Sequence, residues 1–258
     1  MINNFRLVFL MTLVVLVASG CGVFQAPEEA SGTIEAIPLE LPTNTPAPVT
    51  QPTDTAAPAE TEAVTPVETD EPAAEQSANQ LRIYSIDPAS SQVRFELDED
   101  LRGSRITVVG LTNQVAGEFA ADPGDLSTVQ VGTLQINART LQTDNNFRNN
   151  AIQNEILDTG AYEFISFTPT AVNGLPAAAA VGETVSFTID GDLTIRDITR
   201  PVTFTVSASM VTDQQISGTA STVINRTDFN LNIPSVPNVA NVEEEVELYI
   251  DFVARASS

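Results

Sequence analysis

The most regular pattern in the chain runs from Val185 to Met210, "VSFTIDGDLTIRDITRPVTFTVSASM". From Val185 to Ile195 the odd positions are Val, Phe, Ile, Gly, Leu and Ile, and the even positions from Ser186 to Arg196 are Ser, Thr, Asp, Asp, Thr and Arg. After "RDITRP" the alternation resumes, with Val202, Phe204, Val206, Ala208 and Met210 on one side and Thr203, Thr205, Ser207 and Ser209 on the other. A period of two sends successive side chains to opposite faces of a strand, so the stretch predicts a hairpin with one dry and one wet face. The segment from Val185 to Arg196 would extend roughly 40 Å at about 3.3 Å per residue, well beyond an ordinary strand.

The same rhythm recurs from residue 81 onward. "SQVRFEL" sets Val93, Phe95 and Leu97 against Arg94, Glu96 and Asp98, and "VAGEFAA" groups Val115, Gly117, Phe119 and Ala121 ahead of a "DPGD" turn at 122–125. "STVQVGTLQINA" predicts a third strand whose pattern shifts near Gly132, as a bulge would shift it. Further strands are predicted around 162–170, 183–196, 201–211, 215–226 and 244–254, the last with Val246, Leu248, Ile250 and Phe252 inward and Glu245, Glu247 and Asp251 outward. Between them, "RTLQTDNNFRNNAIQNEILDTGAY" breaks the rhythm: Phe147, Ala151, Ile152, Ile156 and Leu157 fall near helical spacing, with Asp144 or Asn145 as N-cap and Gly160 past the end. One short helix over the outside or an end of the sheet follows.

Eight antiparallel strands of single-sided polarity fit either a two-sheet sandwich or a closed barrel, and strand length favours an elongated barrel. Small residues among the inward positions, Gly117, Gly191, Gly218, Ala220 and Thr222, have two readings. They leave space for a slender ligand, or they permit the bends that closure needs.

Composition then divides the chain. Residues 22–80 hold nine of the sixteen prolines, nine threonines, eleven acidic residues and no basic one. Such a stretch buries too little apolar surface to offset its ordering entropy, so residues 21–80 are expected to be a disordered acidic tether and 81–258 the folded domain. Ahead of it, "MINNFRLVFLMTLVVLVASGC" has Arg6, an apolar run Leu7–Val17, and Ala18-Ser19-Gly20 before the single cysteine, Cys21. The run is too short to span a bilayer, which needs about 20 residues, and suits a signal peptide over 1–20. Small residues directly before Cys21 are similar to a bacterial lipobox. Cys21 is then either the lipidated first residue of an extracytoplasmic, membrane-anchored protein or an incidental residue near a cleavage site; the acidic tether that starts at once favours the first.

The net charge of −23, spread over tether and domain, argues against nucleic-acid partners. The chain has no His and no Lys, and every basic residue is Arg. A His-assisted nucleophile, a Lys Schiff base and a Cys/His metal site are excluded by inventory. Only carboxylates remain, and Asp190 and Asp192 on an outward strand face, or the runs 98–100 and 243–245, read as solvated surface. "DGD" at 190–192 lacks the spacing of a calcium loop. No catalytic residue, metal or cofactor is assigned.

The strings "YSIDPASSQVRFEL", "VAGEFAA", "FRNNAIQNEILD", "YEFISFTPT", "GDLTIRDITRPV", "INRTDFNLNIP" and "VEEEVELYIDF" resemble, in order and spacing, the successive signatures of the YceI-like family of exported lipid-binding proteins across nearly all of 82–254. The resemblance implies an extended lipocalin-like antiparallel β-barrel with one helix, without catalytic activity, enclosing an apolar channel for a polyisoprenoid or isoprenoid quinone. Under that reading the inward residues Phe95, Leu97, Phe119, Phe167, Phe187, Ile189, Leu193, Phe204, Val206, Ile224 and Phe252 line the channel. The chain departs from the family where Arg148 precedes Asn149 and not Asp, and where Asp197 replaces a turn glycine. The alternative is a filled barrel acting as a surface-displayed interaction or stress-protective module. The sequence leaves open whether the protein forms a homodimer.

Overall fold

A computed structural model describes residues 26–41 and 81–257. The predicted signal segment, Cys21 and residues 42–80 lie outside the described residues. In chain order the strands are β1 (Arg82–Ile86), β2 (Gln92–Leu101), β3 (Ser104–Thr112), β4 (Val115–Ala116), β5 (Glu118–Ala121), β6 (Gln130–Val131), β7 (Leu134–Asn137), β8 (Phe164–Asn173), β9 (Thr184–Ile195), β10 (Ile198–Thr212), β11 (Gln215–Asn225), β12 (Val239–Ala240) and β13 (Glu245–Ala256). Helix α1 (Asn146–Ala151) lies between β7 and β8.

The alternating stretch is the β9–β10 hairpin, paired without interruption from Ile195↔Ile198 to Thr184↔Ser209. Arg196 and Asp197 turn it, with Arg196 in the left-handed region at φ 58°. Successive antiparallel pairs then carry the sheet around in the order β7-β8-β9-β10-β11-β13-β1-β5-β6. The two ends meet. β4 and β5 flank Gly117, β6 and β7 flank residues 132–133, and β5 pairs β6 while β4 pairs β7, so the ladder returns to the strand from which it started. The Gly132 N–H donates to the Glu118 carbonyl at 2.8 Å across the break. At the other end, β13 exchanges β1 for β2, and the wall continues through β3 to an isolated bridge between Leu111 and Gln142.

The fold is thus an all-β antiparallel barrel with one short helix, but its strands are divided more finely than the period alone predicts. The predicted strands at 115–121 and 127–138 are each broken near a glycine, and β1, β3 and β12 were not anticipated. In β3 the outward side carries Val109 and Leu111 beside inward Val108 and Gly110, which erases the polar alternation. Along β8 the register shifts between Pro169 and Ala171, where a residue without an N–H is tolerated because the ladder is already interrupted. Along the long β9 and β10 strands the inward set is apolar and the outward set is mostly Thr, Ser and Asp, the reverse of a membrane-spanning barrel.

Residues 26–41 correct the expectation of a tether without structure. They lie extended along the outside of the barrel, and their amides find side-chain acceptors. Ser31 donates from its N–H and its hydroxyl to Glu163 at 2.8 and 2.9 Å, Ile34 N–H to Gln114 at 3.3 Å, and Leu39 N–H to Glu118 at 3.0 Å. Arg139 pairs with Glu28 at 3.0 Å and donates to the Glu29 carbonyl at 3.1 Å. Ile34 is buried to 6% exposure, and Leu39 sits over Gly132, 3.4 Å from where a Cβ would stand. Satisfied amides and buried side chains offset the entropy of ordering this strap, which an average over the whole Pro/Thr-rich stretch conceals.

Burial opposes ionisation of Glu163, but hydrogen bonds from Ser31 and Asn137 and the charge of Arg139 outweigh it and hold the carboxyl below its ordinary value of 4.5. A depressed carboxylate favours the docked state at pH above 4.5, and this contribution is lost as pH falls through the lower docked value. The Ser31 amide resonance is therefore expected to titrate with a midpoint below 4.5, and Glu163→Gln to abolish that titration.

Candidate functional site

Inside the barrel the apolar faces do not meet completely. Among the described residues, a narrow chamber of about 170 Å³ and a wide one of about 370 Å³ open between them. The wide chamber falls within the 300–1,000 Å³ typical of small-molecule sites. Leu134, Phe167, Phe204 and Ile250 line both, so the chambers adjoin at a waist. There the Phe167 and Phe204 rings pack edge to face, with centroids 4.9 Å apart and planes at 69°.

The structure places each of the predicted channel residues on one of these walls. Phe119, Phe187, Ile189, Val206 and Phe252 line the narrow chamber, Phe95, Leu97, Leu193 and Ile224 the wide one, and Phe167 and Phe204 stand at the waist. The inward glycines face neighbouring side chains and not empty space, Gly117 against Leu134 and the others against rings. A Cβ on Gly191 would stand 2.5 Å from the Phe167 ring and 2.6 Å from the Thr168 carbonyl, so the ring at the waist rests directly on Gly191. Gly218 likewise faces Phe252, and Gly110 faces Phe95 across the β2–β3 ladder.

The two chambers end differently. Across the narrow one, the loop after β8 is pinned by Leu126 N–H to Ala177 O at 2.9 Å, Ala179 N–H to Pro123 O at 3.1 Å and Gly182 N–H to Met210 O at 2.8 Å. The wide chamber is covered by α1 and by residues 231–239. Asn145 caps α1 by accepting from the N–H groups of Phe147 and Arg148, and a π-helical turn, Ile152–Ile156, continues it. This element turns Ala151, Ile152, Ile156 and Leu157 inward, while Leu231, Ile233, Pro234, Val236 and Pro237 close the opposite side. Phe147 at 68% exposure and Val236 at 42% mark an apolar rim. The loop residues were missed because their segment has no long run, although Leu231 and Ile233 alternate with Asn230 and Asn232 in a recognisable period of two.

Charge enters the wide chamber at one buried pair. Arg148 donates to Glu99 at 2.9 Å and, towards solvent, to Asp144 at 2.6 Å; the Glu99 side chain is only 8% exposed. Two other cations of the lining are engaged along the wall: Arg94 lies over the Tyr249 ring at 4.3 Å, and Arg226 donates to the carbonyls of Leu231 and Glu243. Among the described residues, no group of three or more His, Cys, Asp or Glu is arranged to hold a metal ion. The arrangement can exclude water from an apolar chain and present one donor–acceptor pair near the rim.

A polar-shelled antiparallel barrel with an apolar divided interior belongs to the ligand-enclosing class of barrels. The YceI-like domain matches residues 84–254, and the chain belongs to that family. Among solved structures it is similar to a polyisoprenoid binding domain from Saccharophagus degradans implicated in plant cell wall breakdown, at 15% identity and a TM-score of 0.55, covering 69% of this chain and 100% of that one. It is also similar to BcnA from Burkholderia cenocepacia, at 18% identity and a TM-score of 0.52, covering 65% and 98%. Both likenesses establish the barrel fold. No curated protein matches the sequence.

Two substitutions check this geometry. Gly191→Ala sets a methyl against a backbone carbonyl and the waist ring, and is expected to destabilise by about 1–3 kcal/mol, read as a lower Tm in thermal unfolding. Arg148→Ala leaves Glu99 buried without its cation and is expected to cost about 3 kcal/mol in denaturant unfolding, whereas Asp144→Ala, at an exposed pair, changes stability by less than about 1 kcal/mol.

Proposed function

We propose that the protein is a carrier or reservoir for a long apolar isoprenoid lipid, a polyisoprenoid or an isoprenoid quinone, held in the barrel interior and kept at the outer face of a membrane by acylated Cys21. The observation that carries the reading is the predominantly apolar lining of two adjoining chambers along the barrel. Burial of an apolar chain there contributes about 25 cal/mol per Å² without any demand for specific polar partners. The resemblance of the fold to a polyisoprenoid binding domain supports the ligand class, and the small residues before Cys21 support the anchor. Phe119, Phe187, Ile189, Val206 and Phe252 would contact the far part of the lipid, and Phe95, Leu97, Leu193 and Ile224 the part nearer the rim, with Phe167 and Phe204 between.

Protein purified from a lipid-containing host and extracted with organic solvent should release a stoichiometric isoprenoid, identified by mass spectrometry. Ala208→Phe, which fills part of the narrow chamber, should weaken uptake of an added long-chain quinone about tenfold, or roughly 1.4 kcal/mol, while far-ultraviolet circular dichroism stays unchanged. Empty extracts together with no uptake of quinone would favour the ligand-free interaction module instead.

A further inference from the structure

The strap has a direction. Its first docked residue, Glu28, sits beside Arg139 and Gly160, at the end of the barrel that carries α1 and the wide chamber. Its last contacts, Leu39 with Glu118 and Gly132, lie against residues that line the narrow chamber. The chain therefore enters at the wide end and runs towards the narrow end. Covalent geometry then limits where the barrel can stand. From Cys21 to Glu28 is a handful of residues, and at no more than 3.6 Å each they span about 25 Å at most. With the strap released, the limit is set by the chain from Cys21 to Leu81, whose full extension is about 200 Å. The apolar rim of Phe147 and Val236 stands at the end that the docked strap keeps close to Cys21.

We propose that residues 26–41 are a docking strap that, in the lipidated protein, turns the wide mouth of the barrel towards the lipid surface and holds it there, so that cargo passes between bilayer and wide chamber and not through the narrow end. The orientation rests on the anchoring of Cys21; the docking of the strap does not. The partner is the lipid surface, for two reasons. Every segment between it and the mouth is short, and the rim carries Phe147, at 68% exposure the most exposed large apolar side chain among the described residues, with Val236 beside the same chamber.

The test has two arms, both on the full mature chain. In the Cys21→Ser form, amide hydrogen exchange at Ile34 and Leu39 should be at least about tenfold slower than in an unstructured chain, and Ile34→Asp with Leu39→Asp should abolish that protection. Exchange at the unstructured rate in the parent chain overturns the strap. In the lipidated form bound to phosphatidylcholine vesicles with an acceptor dye on the headgroup, a donor placed at Asn146→Cys, at the wide end, should transfer energy strongly, and one at Val181→Cys, in the loop over the narrow end, weakly. The double Asp variant should bring the first signal down to the second. Equal transfer from both positions, or transfer from position 146 unchanged by the double variant, overturns the orientation. If the chain with Cys21 binds vesicles no better than Cys21→Ser, the anchoring reading fails and the orientation with it, while the exchange arm still decides the strap.

Discussion

Closure of the hydrogen-bond ladder is the constraint on which the rest of this structure depends. A sheet whose strands alternate Val, Phe or Ile with Thr, Ser or Asp has one face that must leave water, and an open sheet of that kind would also present unpaired edges. Bringing β4 and β5 against β7 and β6 removes both problems together, because the apolar face becomes an interior and the edge finds its partner. The breaks at Gly117 and Gly132 lie on that seam, and the strap crosses the same seam from outside, with Leu39 over Gly132. The weakest stretch of the wall is therefore the one that receives additional chain.

Within the wall, curvature and filling are set by pairs of unlike size. At three inward glycines an aromatic ring from a neighbouring strand crowds the place a side chain would have taken, Phe167 at Gly191, Phe252 at Gly218 and Phe95 at Gly110, whereas Gly117 faces Leu134. This consumes space that the small residues would otherwise leave for a ligand. The cavities lie on either side of the waist rings. The interior is thus neither a uniform tube nor a filled core, and its two chambers differ in how they end: one under a hydrogen-bonded loop, the other under a helix and an apolar rim.

Much of this was legible from local pattern. The β9–β10 hairpin, the inward residues of β11 and β13, and the cap at Asn145 follow from a period of two or from helix-capping chemistry, both of which are short-range. All eleven inward residues named from the sequence line the cavities, because alternation alone decides which side of a closed sheet a residue faces. Three things lay beyond its reach. The waist depends on how β8 and β10 are registered on either side of β9, which decides that Phe167 and Phe204 meet. Strand β3 was hidden by Val109 and Leu111 on its outer side. The strap was hidden by averaging: Ile34, Ile37, Leu39 and Leu41 are the only Ile and Leu residues of 22–80, and their clustering was the signal of a docked segment.

The edge-to-face pair at the waist has a kinetic consequence. A chain long enough to occupy both chambers must pass Phe167 and Phe204, which stand side by side over β9 and line both. Gly191 backs the Phe167 ring on one side, which limits how far that ring can withdraw. How tightly an occupant is held follows from the apolar surface it covers, but how long it stays follows also from how readily it slides past the two rings. Affinity and residence time become separately adjustable, the first along the walls and the second at a single contact.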